Sequence, residues 1–449
     1  MNKPTIVVLV DNKLRDLPAC ALIAEYIEKL GGHCVLVPLE GYRSALEAFR
    51  PSIILFNHLL AGHLVHYSQR LRDMGVKVAV LPNEMLLYHR DVLLFNTRKR
   101  HPDTHVDIYF SWGEHQREAL YENDYDPAVT KVYVVGNPKF DFYFKPYSDY
   151  YLRKSAIAKG KRPRLLVCTN FCFAKYHTLP KADGERFFSM WAEQIELYKD
   201  FPAAIAACFR GRERFMKFFQ ALVQADRYEI VLRPHPSEDR EFYRPFLDAL
   251  PADQRRHVVF DLDSSIYEQI LNCDLEVSCE TCTTALEAWM AGKPTIELSL
   301  EKHEMYYHHD ISLLNVLCEE PDQLLGTVED QLAQPDQTEF TDVRAAHLKK
   351  WVDTPKGDSC RRVAEALIAE TETAKPDWSK LRFSDFRRGW KHRLLEAVGK
   401  PCNYNPFLAL KLALMPARYR ARKSVMDKTI FPAGVYELRS QMSTLIRGK

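Results

Sequence analysis

The chain has 449 residues, of which 62 are basic and 60 acidic, giving a formal charge of +2. With 46% hydrophobic and 27% charged residues, it is composed as an ordinary globular protein of more than one domain, which excludes a disordered, collagen-like or disulfide-stapled chain. Eleven cysteines show no zinc-ligand spacing, since Cys279-x-x-Cys282 lacks a partner pair, so reduced thiols in a cytosolic protein are expected.

Pro4–Val10 is apolar but too short for a leader core and runs into Asp11-Asn12-Lys13, so a secretory leader is not expected. No apolar stretch approaches the length that spans a bilayer. Residues 1–155 then alternate short apolar runs with amphipathic segments, the pattern of β-α units. Strands are expected at Thr5–Val10, Cys34–Pro38, Ile53–Phe56, Val76–Leu81, Ile108–Ser111 and Val132–Val135. Ala19–Leu30 reads as a helix stopped by Gly31-Gly32. Nearly continuous Val/Ile/Leu runs suit a parallel sheet covered on both faces.

Lys159-Gly160-Lys161-Arg162-Pro163 breaks the pattern, and the linker is expected there. A second series occupies 162–345, with strands at Arg164–Thr169, Ile230–Leu232, His257–Phe260, Leu275–Ser278 and Thr295–Leu298. Helices are expected at Ala182–Tyr198, Phe209–Asp226, Ser265–Asn272 and Thr284–Ala291. The fold class is therefore α/β: two Rossmann-like domains facing a central crevice. A helix near Gly357–Ala369, in a segment 346–379, is expected to pack back on the core. From residue 380 the chain carries 16 basic and four acidic residues, a net of +12 against −10 for the remainder. Its apolar residues, among them Trp390, Leu394, Phe407, Leu408, Leu412 and Met415, are interleaved with Arg387, Arg388, Lys391, Arg418, Arg420, Arg422 and Lys423. Such a basic amphipathic tail suits an anionic membrane surface and equally suits helices wrapped around the core. The charge alone would also fit nucleic acid, but the α/β core has no recognition motif, so a nucleic-acid partner is not expected.

Two strand ends carry the chemistry. Arg233-Pro234-His235-Pro236 closes one, and the flanking prolines are expected to stop the strand and hold the imidazole still. A histidine donates to a phosphate oxygen in either charge state, and Arg233 beside it is expected to bind and neutralise the same phosphate. Glu280, Thr281, Thr283 and Thr284 precede a helix; hydroxyls there cap free N–H groups, and the same position attracts anions. Glu280 would meet ribose hydroxyls or orient His235, while Glu287 reads equally as a ribose ligand and as a solvated helix residue. In the first domain, Glu84 follows the strand ending at Leu81 and suits a general acid or base toward a hydroxyl. Asp11, Lys13, Arg15 and Asp16 occupy the loop after the first strand. Lacking glycine, that loop cannot cradle a pyrophosphate and is expected to meet an acceptor, or simply to cap a helix. Asp141, in Gly136-Asn137-Pro138-Lys139-Phe140-Asp141, is a candidate nucleophile or donor-positioning residue in a loop that also suits a hinge. His303, His308 and His309 lack the spacing of a metal site.

The order Asn83-Glu84-Met85, GNPKFD, RPHP and SCETCTTALEAWMAGKP resembles bacterial surface-carbohydrate biosynthesis proteins of the GT-B glycosyltransferase fold, most closely those using CMP-activated sugars, the sialyltransferases and capsule-type Kdo transferases. The resemblance spans roughly residues 4–300. It implies transfer of a CMP-linked ulosonic acid to a glycan or lipid-linked glycan in capsule or lipopolysaccharide synthesis, without metal or cofactor. It assigns Glu84 as catalytic acid/base and His235 to the CMP phosphate, with Thr283 and Thr284 holding that phosphate. This chain departs from the pattern in having Asn83 and Met85 where an acid and a glycine are usual, and Cys279-Glu280 before the hydroxyl pair. Two alternatives stay open: a CDP-glycerol or CDP-ribitol polyol-phosphate transferase, and a non-catalytic binding member of an assembly complex. The enzyme is expected in the cytoplasm, with peripheral contact at the cytoplasmic face of the inner membrane as one of the two readings of its tail.

Overall fold

The structure is a computed structural model that describes residues 3–154, 160–335, 337–404 and 428–447, with 407, 410 and 414. The chain divides into two compact units, Met1–Asp141 with Leu348–Lys449, and Phe142–His347. The division falls at Asp141 rather than near residue 155, for an aromatic reason. Phe142, Tyr143 and Tyr151 gather around Tyr267 of the second unit, with ring centroids 5.0–5.3 Å from it. These residues, expected within the first domain, are thus core of the second unit. Arg418, Arg420, Arg422, Lys423, Leu408, Leu412 and Met415 of the expected amphipathic tail lie outside the described residues.

The first unit holds a six-stranded parallel sheet: β1 (Thr5–Val10), β2 (His33–Pro38), β3 (Ile53–Phe56), β4 (Lys77–Val80), β5 (Ile108–Ser111) and β6 (Lys131–Val134), in the order β2-β1-β3-β4-β5-β6. Ile6, Val7, Val10, Ile53, Ile54, Val78 and Ile108 are fully buried. Each such side chain contributes about 1.5–3 kcal/mol relative to exposure, which is why uninterrupted aliphatic runs define this sheet.

The chain returns to this unit after residue 347. The Ser359–Thr371 helix packs on the Leu17–Lys29 helix. The described tail helices, Phe383–Ala397 and Pro432–Arg447, also lie on this unit. Buried Asp385 takes a bidentate pair from Arg70, and Arg439 reaches Glu25 at 2.6 Å and the Cys34 carbonyl at 2.8 Å. Gly75 sits at φ +72°, where the returning backbone at Lys375 leaves no room for a Cβ. Among the described residues no helix is long and apolar enough to cross a membrane.

Glu370 ties the return helix to the sheet. It accepts from Lys77 Nζ at 2.6 Å, Lys131 Nζ at 2.7 Å and the Tyr133 hydroxyl at 2.7 Å. Burial alone would raise its carboxyl, but these donors outweigh that and hold it down to about 2. A carboxylate depressed on folding stabilises above its unfolded value near 4.3, and that contribution is lost as pH falls toward 2. It amounts to about 3 kcal/mol at neutral pH. Urea titrations of Glu370→Gln are therefore expected to show lower stability at pH 7 and a flatter acid limb between about pH 4.5 and 2. An unchanged limb would remove Glu370 from the acid response.

The second unit holds β7 (Arg164–Thr169), β8 (Glu229–Pro234), β9 (Val258–Phe260), β10 (Leu275–Cys279), β11 (Thr295–Leu298) and β12 (Val316–Cys318), all parallel, in the order β12-β11-β10-β7-β8-β9. Three expectations change here. β8 continues through Arg233 and Pro234, which pair with Cys168 and Thr169; a terminal proline sacrifices only one donor. The Phe201–Ala225 helix starts eight residues earlier than expected, with proline in its first turn, a position where the missing N–H costs nothing. The helix expected over Ala182–Tyr198 ends at Ala192 and is followed by a 3-10 turn, Glu196–Asp200.

Candidate functional site

In each sheet the strand order reverses once, and loops at the carboxyl ends part at that switch point, where open α/β sheets bind ligands. In the second unit the switch lies between β7 and β10. β10 leaves the sheet through two consecutive left-handed residues, Glu280 and Thr281, both at φ +56°. Neither is glycine, so each costs about 1–2 kcal/mol, and the surroundings hold them in place. Glu280 is buried and accepts the Glu301 N–H at 3.0 Å. Thr281 donates its N–H to Glu297 at 3.2 Å, and its hydroxyl accepts from the His308 N–H at 3.1 Å. Burial pushes the Glu280 carboxyl up to about 8. Both side chains turn into the protein, so they build the turn rather than meet a ligand.

The turn delivers the Thr283–Met290 helix, whose start has no side-chain cap. The Thr284 hydroxyl donates at 2.7 Å to Glu276, a fully buried carboxyl pushed up to about 8 by its burial. Thr283 is exposed and has no polar partner among the described residues. Of the four hydroxyl and acid positions expected at a ligand, Thr283 alone faces outward. Glu287 accepts the Tyr143 hydroxyl within the same unit.

His235 is exposed at the end of β8, beside β7. Its Nδ1 accepts the Ser237 N–H at 3.1 Å and lies 2.9 Å from the Cys172 thiol. With Nδ1 accepting, the neutral ring carries its proton on Nε2, a donor. The loop is fixed by Glu238, which sequence reasoning missed. Its Oε1 accepts from Thr169 Oγ1 at 2.8 Å, Phe171 N at 2.9 Å and His235 N at 3.1 Å, and its Oε2 from the Tyr243 hydroxyl at 2.6 Å. The β7 loop also supplies Lys175, whose ammonium lies 2.6 Å from the Ser237 carbonyl. Arg233, expected to meet phosphate, is instead paired with Asp261 and donates to the Ser264 carbonyl at 2.8 Å. Its charge is already neutralised within the protein.

In the first unit the switch lies between β1 and β3. The loop after β1 folds on its own side chains: Asn12 Oδ1 accepts the N–H groups of Leu14 and Arg15, and buried Asp16 accepts the Asn12 N–H. Arg15 then spans three carboxylates, Asp16 at 2.8 Å, Asp11 at 3.3 Å and Glu84. Asn83 reaches Asp16 at 3.1 Å and Lys139 reaches the Asn83 carbonyl at 2.5 Å. Three separate sequence motifs thus meet here, with the Glu84 carboxylate exposed. Lys428, from the tail, sits 3.0 Å from Asp11. Lys13 is half-exposed and joins none of these contacts among the described residues.

Beside them lies a cavity of about 220 Å³ lined by Asp11, Arg15, Asn57, Glu84, Arg98 and Arg100, among others. Asn57 is buried with both amide atoms unpartnered, a state that costs free energy unless a ligand or water meets it. Arg98 and Arg100 both stack on Phe95, at 4.0 and 4.5 Å. The position of Asn57 directly after β3 and the basic run Arg98-Lys99-Arg100 were the available signals. Asp141 is elsewhere in its chemistry: it is buried, and its two oxygens accept the N–H groups of Ser359 and Cys360 at 3.0 and 2.7 Å. Burial pushes its carboxyl up to about 6 against these bonds. It anchors the returning helix, a structural role.

No family model matches the chain, and no curated protein does. Solved structures do. A Listeria monocytogenes protein described as a UDP-N-acetylglucosamine 2-epimerase superposes with a TM-score of 0.51 at 12% identity, covering 83% of this chain and 98% of that one. A UDP-N-acetylglucosamine 2-epimerase of Methanocaldococcus jannaschii gives 0.46 at 12% identity over 81% and 99%, and a glycosyltransferase of Rickettsia africae gives 0.43 at 12% over 84% and 100%. At such identity what is shared with the Listeria protein is the fold, two parallel α/β units of the GT-B type.

Proposed function

We propose that this chain is a nucleotide-sugar-dependent glycosyltransferase of bacterial surface-polysaccharide synthesis, with the donor on the second unit and the acceptor on the first. The observation that carries this reading is the pairing, at the carboxyl edge of the second sheet, of an exposed imidazole with an uncapped helix start. Backbone N–H groups of that helix start, the Thr283 hydroxyl, His235 Nε2–H and Lys175 would bind the donor phosphate. They would stabilise the charge that develops as it leaves, usually a large catalytic contribution. Glu84 would take the proton of the acceptor hydroxyl while Arg15 holds its carboxylate in position. Asp11, Arg15 and Asn57 would line the acceptor side.

We assign the donor as a CMP-linked ulosonic acid, on the motif order around His235 and Thr283-Thr284. A second reading, a UDP-sugar, is favoured by the shared fold with the Listeria protein described as a UDP-N-acetylglucosamine 2-epimerase.

Thermal-shift and calorimetric titrations of CMP, CDP, UDP and GDP test the assignment. A ligand at about 100 times its Kd stabilises the native state by about 2.7 kcal/mol. CMP is expected to raise Tm, and His235→Ala to weaken its binding by about 2 kcal/mol, the worth of a hydrogen bond to a charged group. A response to UDP alone would establish the second reading. Equal binding by His235→Ala would remove the histidine from the donor site.

A further inference from the structure

One part of the tail takes no part in the proposed chemistry. The Phe383–Ala397 helix is seated on the first unit by a single face, through Asp385, Gly389 and His392. Asp385 is fully buried against Arg70. The His392 ring lies 2.7 Å from Ser44 Oγ and edge-on to Phe49. Gly389 packs so closely on Glu47 that a Cβ would collide with its carboxylate. These contacts fix the rotation of the helix, and with it the opposite face.

That opposite face is apolar and uncovered. Phe383 is 86% exposed, Trp390 71%, Leu394 58%, Val398 62% and Phe386 44%. At 100° per residue the five fall within an arc of about 120°, on a stripe roughly 22 Å long. Arg387 lies inside this arc, between Leu394 and Val398, and Lys391 borders it on the same side; neither has a carboxylate partner among the described residues. Arg393 borders the other side, paired with Glu47 at 2.9 Å. The two acids of the helix, Asp385 and Glu396, lie on the seated side of this projection. Phe407, Leu410 and Leu414, further along the chain, are exposed as well.

We propose that this face rests on an anionic lipid bilayer, with Phe383, Trp390, Leu394 and Val398 at the acyl boundary and Arg387 and Lys391 at the headgroup phosphates. A helix of one apolar face with flanking cations lies in the interface plane in this way, and tryptophan is enriched at that depth. Charge selects the occupant. A second copy of the same face would bring Arg387 and Lys391 against cations with no acid on the face to offset them. Anionic headgroups supply the missing charge, and the excess of 16 basic over four acidic residues from 380 onward adds attraction of the same sign. The proposal is independent of the glycosyltransferase reading, because nucleotide binding by the same variants reports on the second unit separately.

Flotation of the full-length protein with vesicles is the test. Wild type is expected to float with vesicles containing about 30 mol% phosphatidylglycerol and to partition at least 25-fold more weakly onto pure phosphatidylcholine, at about fivefold for each of the two cations. Trp390→Glu with Leu394→Glu is expected to lower partitioning at least a hundredfold. Arg387→Glu with Lys391→Glu is expected to lower it at least 25-fold on anionic vesicles alone. All four positions are exposed, so circular dichroism and the nucleotide thermal shift are expected to match wild type. The proposal is overturned if wild type does not float, or if the Trp390/Leu394 double variant floats as well as wild type. It is also overturned if light scattering shows a lipid-free dimer that this double variant abolishes, since the face would then be a subunit contact.

Discussion

Glu238→Ala is expected to cost the second unit about 3–5 kcal/mol of stability and to abolish donor-nucleotide binding with it. Two backbone N–H groups, those of Phe171 and His235, and two hydroxyls, those of Thr169 and Tyr243, converge on this one carboxylate. Removing it strands the Phe171 N–H and leaves the Thr169 and Tyr243 hydroxyls only each other, 3.2 Å apart, while the His235 N–H keeps the Thr169 carbonyl at 3.1 Å; water reaches the place poorly, since Glu238, Thr169 and Tyr243 are all buried. Each unsatisfied donor costs about 1–3 kcal/mol, and hydroxyls recover part of that by rotating. The functional loss follows from geometry. The same carboxylate holds the β7 loop, which carries Cys172 and Lys175, against the His235 turn, so without it the imidazole and the cation lose their common frame. Glu238→Gln separates charge from shape. Burial raises the Glu238 carboxyl, so the amide avoids a desolvation cost while its oxygen still accepts the two N–H groups and its NH2 meets the Tyr243 hydroxyl. It is expected to retain most stability, with nucleotide affinity within about tenfold of wild type. Urea denaturation and calorimetric titration of CMP below the variant's Tm measure both. If Glu238→Ala kept its stability and affinity within about 1 kcal/mol of wild type, the carboxylate would not be what organises this edge.

The sheets were legible wherever a run of aliphatic residues had to be buried on both faces. β1, β3, β5, β7 and β11 have the bounds expected of them. β12, three residues of which two are half-buried, has too little apolar content to declare itself. The site was legible at the level of segments and not of side chains. Which hydroxyl of Thr281, Thr283 and Thr284 faces outward depends on the left-handed pair before the helix, and neither residue of that pair is glycine, the usual signal. Arg233 read as a phosphate ligand because Asp261, which neutralises it, is 28 residues away. Asp141 read as a nucleophile because the helix it anchors begins more than 200 residues later. Long-range pairing of this kind leaves no local pattern. By contrast, the Asp11–Asp16 loop, Glu84 and Lys139 follow β1, β4 and β6 at the carboxyl edge of one parallel sheet, so the strand pattern already put them on the same side of it.

In Glu84→Gln, turnover is expected to fall about a thousandfold while CMP affinity stays within a factor of two of wild type. General base catalysis by a positioned carboxylate is worth roughly 10²–10⁴ in rate, and the substitution removes the basic oxygen while keeping the side chain's size. The carboxylate is well placed for that duty. It is exposed at the rim of the first unit's cavity, yet held by the Arg15 guanidinium, which is itself fixed by Asp16 and Asp11. Holding it costs little at the moment of reaction, because the fork is assembled beforehand. Arg15→Lys tests that part separately. A lysine cannot bridge three carboxylates with a planar fork, so kcat is expected to drop about tenfold with the base still present, against about a thousandfold in Glu84→Gln. Steady-state rates with a CMP-sugar donor, paired with CMP titrations of the same proteins, distinguish the outcomes. Full turnover in Glu84→Gln would exclude this carboxylate as the base. Loss of CMP affinity together with turnover would mean that the substitution had disturbed more than the acceptor's proton.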